Sequence, residues 1–125
     1  MNEALHTENA PGAIGPYSQA IKAGNMVFVS GQLPVDPATG EFAGEDIVSQ
    51  THRSLQNIRA ILQSEGLGME HIVKTTVFLK DMGEFAAMNG AYAEYFTGTC
   101  PARAAVQVAA LPKDARVEIE AVAVI

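Results

Sequence analysis

Arg103-Ala104-Ala105-Val106-Gln107-Val108-Ala109-Ala110-Leu111 is followed, after Pro112-Lys113-Asp114-Ala115, by Arg116-Val117-Glu118-Ile119-Glu120-Ala121-Val122-Ala123-Val124-Ile125. Both runs alternate, and in a strand every second side chain shares a face. Val117, Ile119, Ala121 and Ala123 are the core set of the second run, and Val106, Val108 and Ala110 that of the first. On this parity Arg103, Ala105, Gln107 and Ala109 lie on the opposite face, together with Arg116, Glu118 and Glu120. That face also carries Val122 and Val124 and is too apolar for water alone. The expectation is a sheet with helices on one side and a second subunit on the other.

Working outward, Ile72 to Lys80 is a β-branched run and hence a strand. Tyr17 to Lys22 and Met26 to Ser30 read as two strands joined through Ala23-Gly24-Asn25, a hairpin signal. Leu5 to Glu8 is read as an optional extra edge strand before the Ala10-Pro11-Gly12 break. Pro34 to Gly40 is loop chemistry. Asp46 is the expected N-cap of a helix to about Ser64, stopped by Gly66, with Ile47, Thr51, Leu55, Ile58 and Leu62 on one face. A second helix runs from about Glu84 to Phe96, burying Phe85, Met88, Tyr92 and Tyr95 or Phe96. The order ββαβαββ defines an α+β fold: one mixed sheet with two helices on one face, built from a single domain over residues 1–125.

Tyr95 to Pro112 is eighteen residues with one formal charge, Arg103. A guanidinium stays protonated and is rarely buried without a partner. Its neighbours in sequence are small and apolar, so the counter-ion must be a distant side chain, another subunit or an anionic ligand. Its planar fork suits a carboxylate. Glu118 and Glu120 are the acids to consider beside it. If the last two strands form a simple hairpin, Glu118 faces about Ala109, and Arg103 lies roughly 20 Å further along at strand rise. Joint action would then need two subunits. Spacing alone favours exposed strand charges paired with Arg116 or Lys113.

The remaining chemistry is sparse. The chain has 125 residues, 48% hydrophobic and 18% charged, which excludes a disordered class. A net charge of −6 without a Lys/Arg cluster disfavours nucleic acid as a partner. No apolar run approaches a membrane span, and Met1-Asn2-Glu3 does not read as a signal peptide. Cys100 is the only cysteine, which fits a reducing cytoplasm, and His6, His52 and His71 lack metal-ligand spacing. No nucleophile elbow, phosphate loop or dinucleotide fingerprint is present. Ser30-Gly31 at a strand end, Tyr17 after Gly15-Pro16, and Asn89 on the second helix each have ordinary structural explanations when taken alone.

Taken together they do not stand alone. Gly15-Pro16-Tyr17-Ser18-Gln19-Ala20, Val29-Ser30-Gly31-Gln32 with Pro34 to Gly40, and Pro101-Ala102-Arg103 followed by Val117-Glu118-Ile119-Glu120 resemble the reactive-intermediate deaminase family (RidA, YjgF-like). The match runs in order along nearly the whole chain. The resemblance implies a fold like trimeric chorismate mutase, with clefts between subunits of a homotrimer. It also implies hydrolysis of small 2-imino acids, such as 2-iminobutanoate and 2-iminopropanoate, to 2-keto acids and ammonia, with no metal or organic cofactor. Residue by residue, Arg103 matches the arginine that holds the substrate carboxylate, and Glu118 the acid associated with the hydrolytic water. Tyr17, Ser30, Gly31 and Asn89 match pocket positions, and the backbone near Ala105 lines the same cleft. The family often has cysteine where this chain has Ala105, and Cys100 does not replace it in position. Thiol chemistry at that place is therefore in question.

Three other readings share these features. A trimer could bind 2-keto acids in the same clefts as a sensor or interaction module without turnover. Some relatives carry a ribonuclease or translation-inhibitor role, which the acidic balance and lack of an evident catalytic histidine disfavour. Chorismate-mutase activity would rest on fold analogy alone.

Overall fold

The computed structural model describes residues 2–125. Six strands, β1 (Glu3–Leu5), β2 (Ala20–Ala23), β3 (Met26–Gln32), β4 (Ile72–Leu79), β5 (Ala102–Gln107) and β6 (Val117–Val124), form one sheet in the order β1-β2-β3-β6-β4-β5. Two helices, α1 (Ile47–Gln63) and α2 (Phe85–Ala93), pack on one face. β4 and β5 are parallel, and every other neighbouring pair is antiparallel. The α+β fold with a mixed sheet is the expected one, and the additional N-terminal strand forms at Glu3–Leu5 rather than over the expected Leu5 to Glu8.

Local chemistry accounts for α1. Asp46 is extended, and its carboxylate accepts a bond from the Ser49 amide at 2.9 Å. That bond satisfies a free first-turn donor and holds the Asp46 pKa below its ordinary value. Ile47, Thr51, Leu55, Ile58 and Leu62 are all buried, as the periodicity requires. Gly66, at φ 75°, turns the chain away in the left-handed region.

α2 ends at Ala93, three residues before the expected Phe96. Its backbone tightens into three-residue bonds, Tyr95 N–H to Tyr92 O and Phe96 N–H to Ala93 O. Met88 and Tyr92 are buried, while Phe85, Tyr95 and Phe96 pack at the margin of the core.

The last two strands do not form a hairpin. β4 lies between β5 and β6, so Pro112–Asp114 is a tight turn within a longer connection, with Lys113 and Asp114 at positive φ. β5 pairs in parallel with β4, and α2 provides the crossover that a parallel pair needs. The strand also stops at Gln107 rather than Leu111. The Gly24-Asn25 turn, in contrast, joins β2 and β3 as expected, with Ala23 paired to Met26 and Gly24 at φ 61°.

The inner face carries Val27, Val29, Val77, Leu79, Val117, Ile119, Ala121 and Ala123, all buried under the helices. Truncating one of the larger of these, such as Ile119, to alanine should cost about 2–5 kcal/mol. The outer face aligns Phe28, Val122, Lys74 and Ala102 across four strands, and Glu118, Phe78 and Val106 across three. Phe28 and Val106 remain 44% and 42% exposed there.

Candidate functional site

The register places Arg103 on the inner face, beside Thr75 of β4. Val106 is on the outer face, so the expected parity of this strand is inverted. Arg103 and Glu118 therefore occupy opposite faces of the sheet, rather than sharing one. The cause is the position of β5 at the sheet edge. Here Arg103 reaches up against α2, while its more apolar neighbour Val106 extends the outer apolar strip.

Arg103 is half-buried and has a built environment. Phe85, Asn89 and Tyr92 lie at i, i+4 and i+7 on α2, so they share one stripe of the helix. The guanidinium carbon sits 4.8 Å from the Tyr92 ring centre and 5.4 Å from that of Phe85. One Nη1–H donates to Asn89 Oδ1 at 2.6 Å. No carboxylate of the described residues pairs with it. A guanidinium has five donors, so four remain for another partner. An open cavity of about 420 Å³ adjoins it, lined by Asn89, Tyr92, Ala93, Phe96, Cys100, Pro101 and Arg103.

Ala105 lies two residues along the same face and packs against the core. The Val108 amide donates to Leu79 O, toward β4. Strand alternation then turns the backbone groups of Arg103, Ala105 and Gln107 outward from the edge of the sheet, free for a ligand or a second chain.

The second group of residues lies at the β3–β6 pairing. The register shifts between Val29 and Gln32, which brings Gly31 under the Glu118 side chain. A Cβ on Gly31 would collide with the carboxylate, whose Cδ would be 3.0 Å away. Gly31 is not at positive φ, so glycine is required there for space rather than for backbone conformation. Burial raises the Glu118 pKa above its usual value, and the nearby negative charge of Glu120 adds to the shift. Neither acid forms an ion pair with Arg116 or Lys113. Arg116 instead binds Glu84 at 3.1 Å and the Glu45 carbonyl at 2.6 Å.

Ser30 and Tyr17 flank this group. The Ser30 hydroxyl donates to Ser18 O at 2.6 Å, and its amide to Gln19 O at 3.0 Å, so β3 holds the 17–19 segment. Buried Gln19 fixes the preceding loop through Thr7, Ala10 and Pro11. Tyr17 precedes β2, rather than beginning it, and is 54% exposed. Its hydroxyl accepts a bond from the Ile14 amide at 3.4 Å.

The structure thus separates the expected site residues into two sets. Asn89, Arg103 and Ala105 lie at the β5 edge, and Tyr17, Ser30, Gly31 and Glu118 lie around β3 and β6. Sequence reading assigned Phe85 and Tyr92 to the core. Their i, i+4, i+7 spacing with Asn89 was the signal that they also serve Arg103. The three histidines are engaged elsewhere: His6 with Glu8, His52 with Tyr95 and Glu94, and His71 with Gly68 and Glu70. Among the described residues, no group of three or more His, Cys, Asp or Glu side chains could hold a metal ion, and no helix is long and apolar enough to cross a membrane.

These features define a small α+β protein whose sheet edge presents an arginine braced by aromatic rings and open to an anion. The chain belongs to the family described as Endoribonuclease L-PSP, matched over residues 7–125, which is the YjgF/RidA family of the resemblance. It is 57% identical to the RutC family protein PH0854 of Pyrococcus horikoshii, over 98% of each chain. It is 53% identical to the 2-iminobutanoate/2-iminopropanoate deaminase of Salmonella typhimurium, over 99% of this chain and 98% of that one. The structure of YyfA of Yersinia pestis, from the conserved Rid protein family, superposes with a TM-score of 0.97 at 46% identity and full coverage of both chains.

Proposed function

We propose that this protein hydrolyses small 2-imino acids, such as 2-iminobutanoate and 2-iminopropanoate, to 2-keto acids and ammonia in clefts between the subunits of a homotrimer. The observation that carries the proposal is the separation of Arg103 and Glu118 onto opposite faces of one sheet, each within an otherwise prepared environment. One chain offers an anion clamp without a base, and a base without a clamp. Apposing the β5 edge of one copy to the β3–β6 region of another joins them. The exposed outer face, with Phe28 and Val106, provides apolar surface for that contact. The match to a named imine deaminase over nearly all of both chains supports the chemistry.

The reaction demands little of the protein. The Arg103 fork holds the substrate carboxylate and fixes the position of C2. Water attacks C2 of the protonated imine, and Glu118 accepts a proton from it. Glu118 returns that proton to the amine nitrogen of the carbinolamine, which leaves as ammonia while the hydroxyl becomes the keto group; the hydroxyl proton converts ammonia to ammonium, and Glu118 is again a carboxylate. A carboxylate with a raised pKa is a stronger base than an ordinary one, and general-base assistance contributes typically about 10²–10⁴-fold. Outward backbone groups at Ala105 can hold the water or the imine nitrogen. Ser30 and Gly31 border the base, and Tyr17 is exposed enough to cover the substrate. None of these steps uses a thiol, so Ala105 is compatible with the reaction.

The test is a coupled assay in which a dehydratase generates the imine and keto-acid formation is followed with and without this protein. Acceleration that is lost in Arg103→Lys supports the clamp, because lysine keeps the charge but not the fork. Tight keto-acid binding with no acceleration would instead identify a sensor. A ribonuclease reading follows from the family's description. It finds no support in the net charge of −6 or in the histidines, none of which lines the Arg103 cavity.

A further inference from the structure

Thr75 is the sheet partner of Arg103, fully buried on the same face. Its Oγ1 lies 2.7 Å from the Tyr92 hydroxyl. The Tyr92 ring, 6% exposed, leans on Phe96 with ring centres 4.7 Å apart and presents its other contact to the Arg103 guanidinium at 4.8 Å. The ring is thus tied, through its hydroxyl, to the residue directly beside the arginine it supports. We propose that Tyr92, held by Thr75, is a positioning residue for the carboxylate clamp, fixing the plane of the Arg103 guanidinium so that its free donors face the cavity. The inference rests on the clamp role proposed for Arg103.

Three contacts would otherwise be redundant, but they constrain different motions. Asn89 takes one N–H and limits rotation within the guanidinium plane. The aromatic faces of Tyr92 and Phe85 limit tilt out of that plane through cation–π attraction. Thr75 stops the Tyr92 ring from following the side chain. Burial also raises the Tyr92 pKa, so the phenol remains neutral and keeps the hydrogen bond to Thr75. A long arginine side chain loses substantial rotamer freedom when it grips a ligand. Ordering it before binding removes that cost from the substrate's affinity.

The experiment compares Tyr92→Leu, Tyr92→Phe and Thr75→Val in the intact protein, with two readouts. In the ligand-free protein, NMR of the Arg103 side-chain N–H groups reports ring-current shielding. That shielding should collapse in Tyr92→Leu and persist in Tyr92→Phe. For 2-ketobutanoate binding, Tyr92→Leu should weaken affinity by about 3- to 30-fold, the range of a cation–π contact. Tyr92→Phe and Thr75→Val should each lose a few-fold, and together no more than either alone. In an Arg103→Gln background, which has no cation for the ring to hold, Tyr92→Leu should cause no further loss, whereas a purely structural role would lower affinity in both backgrounds. If Tyr92→Leu fails to fold, Tyr92→Phe, Thr75→Val and their double variant decide the matter alone: additive losses overturn the proposal. Unchanged Arg103 resonances in Tyr92→Leu also overturn it. Persistent shielding differences with no keto-acid binding by the wild type would place the failure in the clamp reading, not in the contact between Tyr92 and Arg103.

Discussion

Gly31 and Glu118 are in such close contact that the glycine has no room for a side chain: a Cβ would sit 3.0 Å from the Glu118 Cδ and closer still to its Oε2. The obstacle is the end of a flexible side chain, so Gly31→Ala should fold and push the carboxylate aside. A base displaced by about 1 Å can cost on the order of 10²-fold in rate. The expected outcome is a 10- to 100-fold fall in kcat with a much smaller change in KM, and an unchanged circular dichroism spectrum. Wild-type turnover in Gly31→Ala would remove Glu118 from the catalytic step.

Glu118 carries a cost to stability that its replacement should reveal. Its folded pKa is raised by burial and by Glu120, so the folded protein holds the proton more tightly than the unfolded chain does. Ionising it therefore destabilises the fold. The cost is absent below about pH 4, where the unfolded carboxylate is already protonated, and grows as pH rises through the raised folded value. Glu118→Gln should raise Tm at neutral pH, on the order of 1–3 °C because solvent screens a half-buried group, and the gain should vanish near pH 4. Turnover should drop in the same variant by about 10²-fold or more. A Tm difference that is independent of pH would show that ionisation is not its source.

Division of the site between chains has a quantitative consequence. If each cleft takes Arg103 from one subunit and Glu118 from another, mixing equal amounts of Arg103→Ala and Glu118→Gln protein and refolding them together restores some complete clefts. Random assembly makes about one quarter of the clefts fully wild type, since each of two subunits must be the right variant. The co-refolded mixture should therefore recover up to about 25% of wild-type activity, while each variant refolded alone remains near background. Activity that never exceeds the average of the two variants would argue for a site within one chain.

Much of this architecture is readable from local pattern, and the failures are not local. The Asp46 cap, the Ile47-to-Leu62 face and the Gly24 turn depend on residues within a few positions of one another, and all three form as expected. The placement of β5 depends on β4, far away in the chain, and a short turn such as Pro112 to Asp114 does not reveal that another strand lies between the two it joins. Parity misled for a related reason. Val106 looked like a core residue because it is apolar, but on a sheet with two apolar faces hydrophobicity does not tell inside from outside. The 23-residue interval between Leu79 and Arg103, with a helix inside it, was the better clue, since it has the length of a parallel crossover.

The outer face gives the last test. Phe28 lies next to Val122 in the sheet and is 44% exposed, at a distance along β3 from Gly31 and on a different strand from Arg103 and Glu118. It lies two residues from Ser30 on the same face of β3, so the oligomeric state, and not activity alone, is the readout. Burying the exposed part of this ring in an interface is worth on the order of 1 kcal/mol, and a carboxylate in its place would need to be desolvated without a partner. Phe28→Glu should leave the single chain folded, because the inner face and both helices are unaltered. If the proposed homotrimer forms, the substitution should shift the sedimenting species from three times 13.2 kDa toward 13.2 kDa. Activity should fall with dissociation and return as protein concentration is raised, because the clefts reassemble by mass action. A Phe28→Glu protein that remains trimeric would place the subunit contact elsewhere, and a monomer with full activity at every concentration would show that the clefts are not shared.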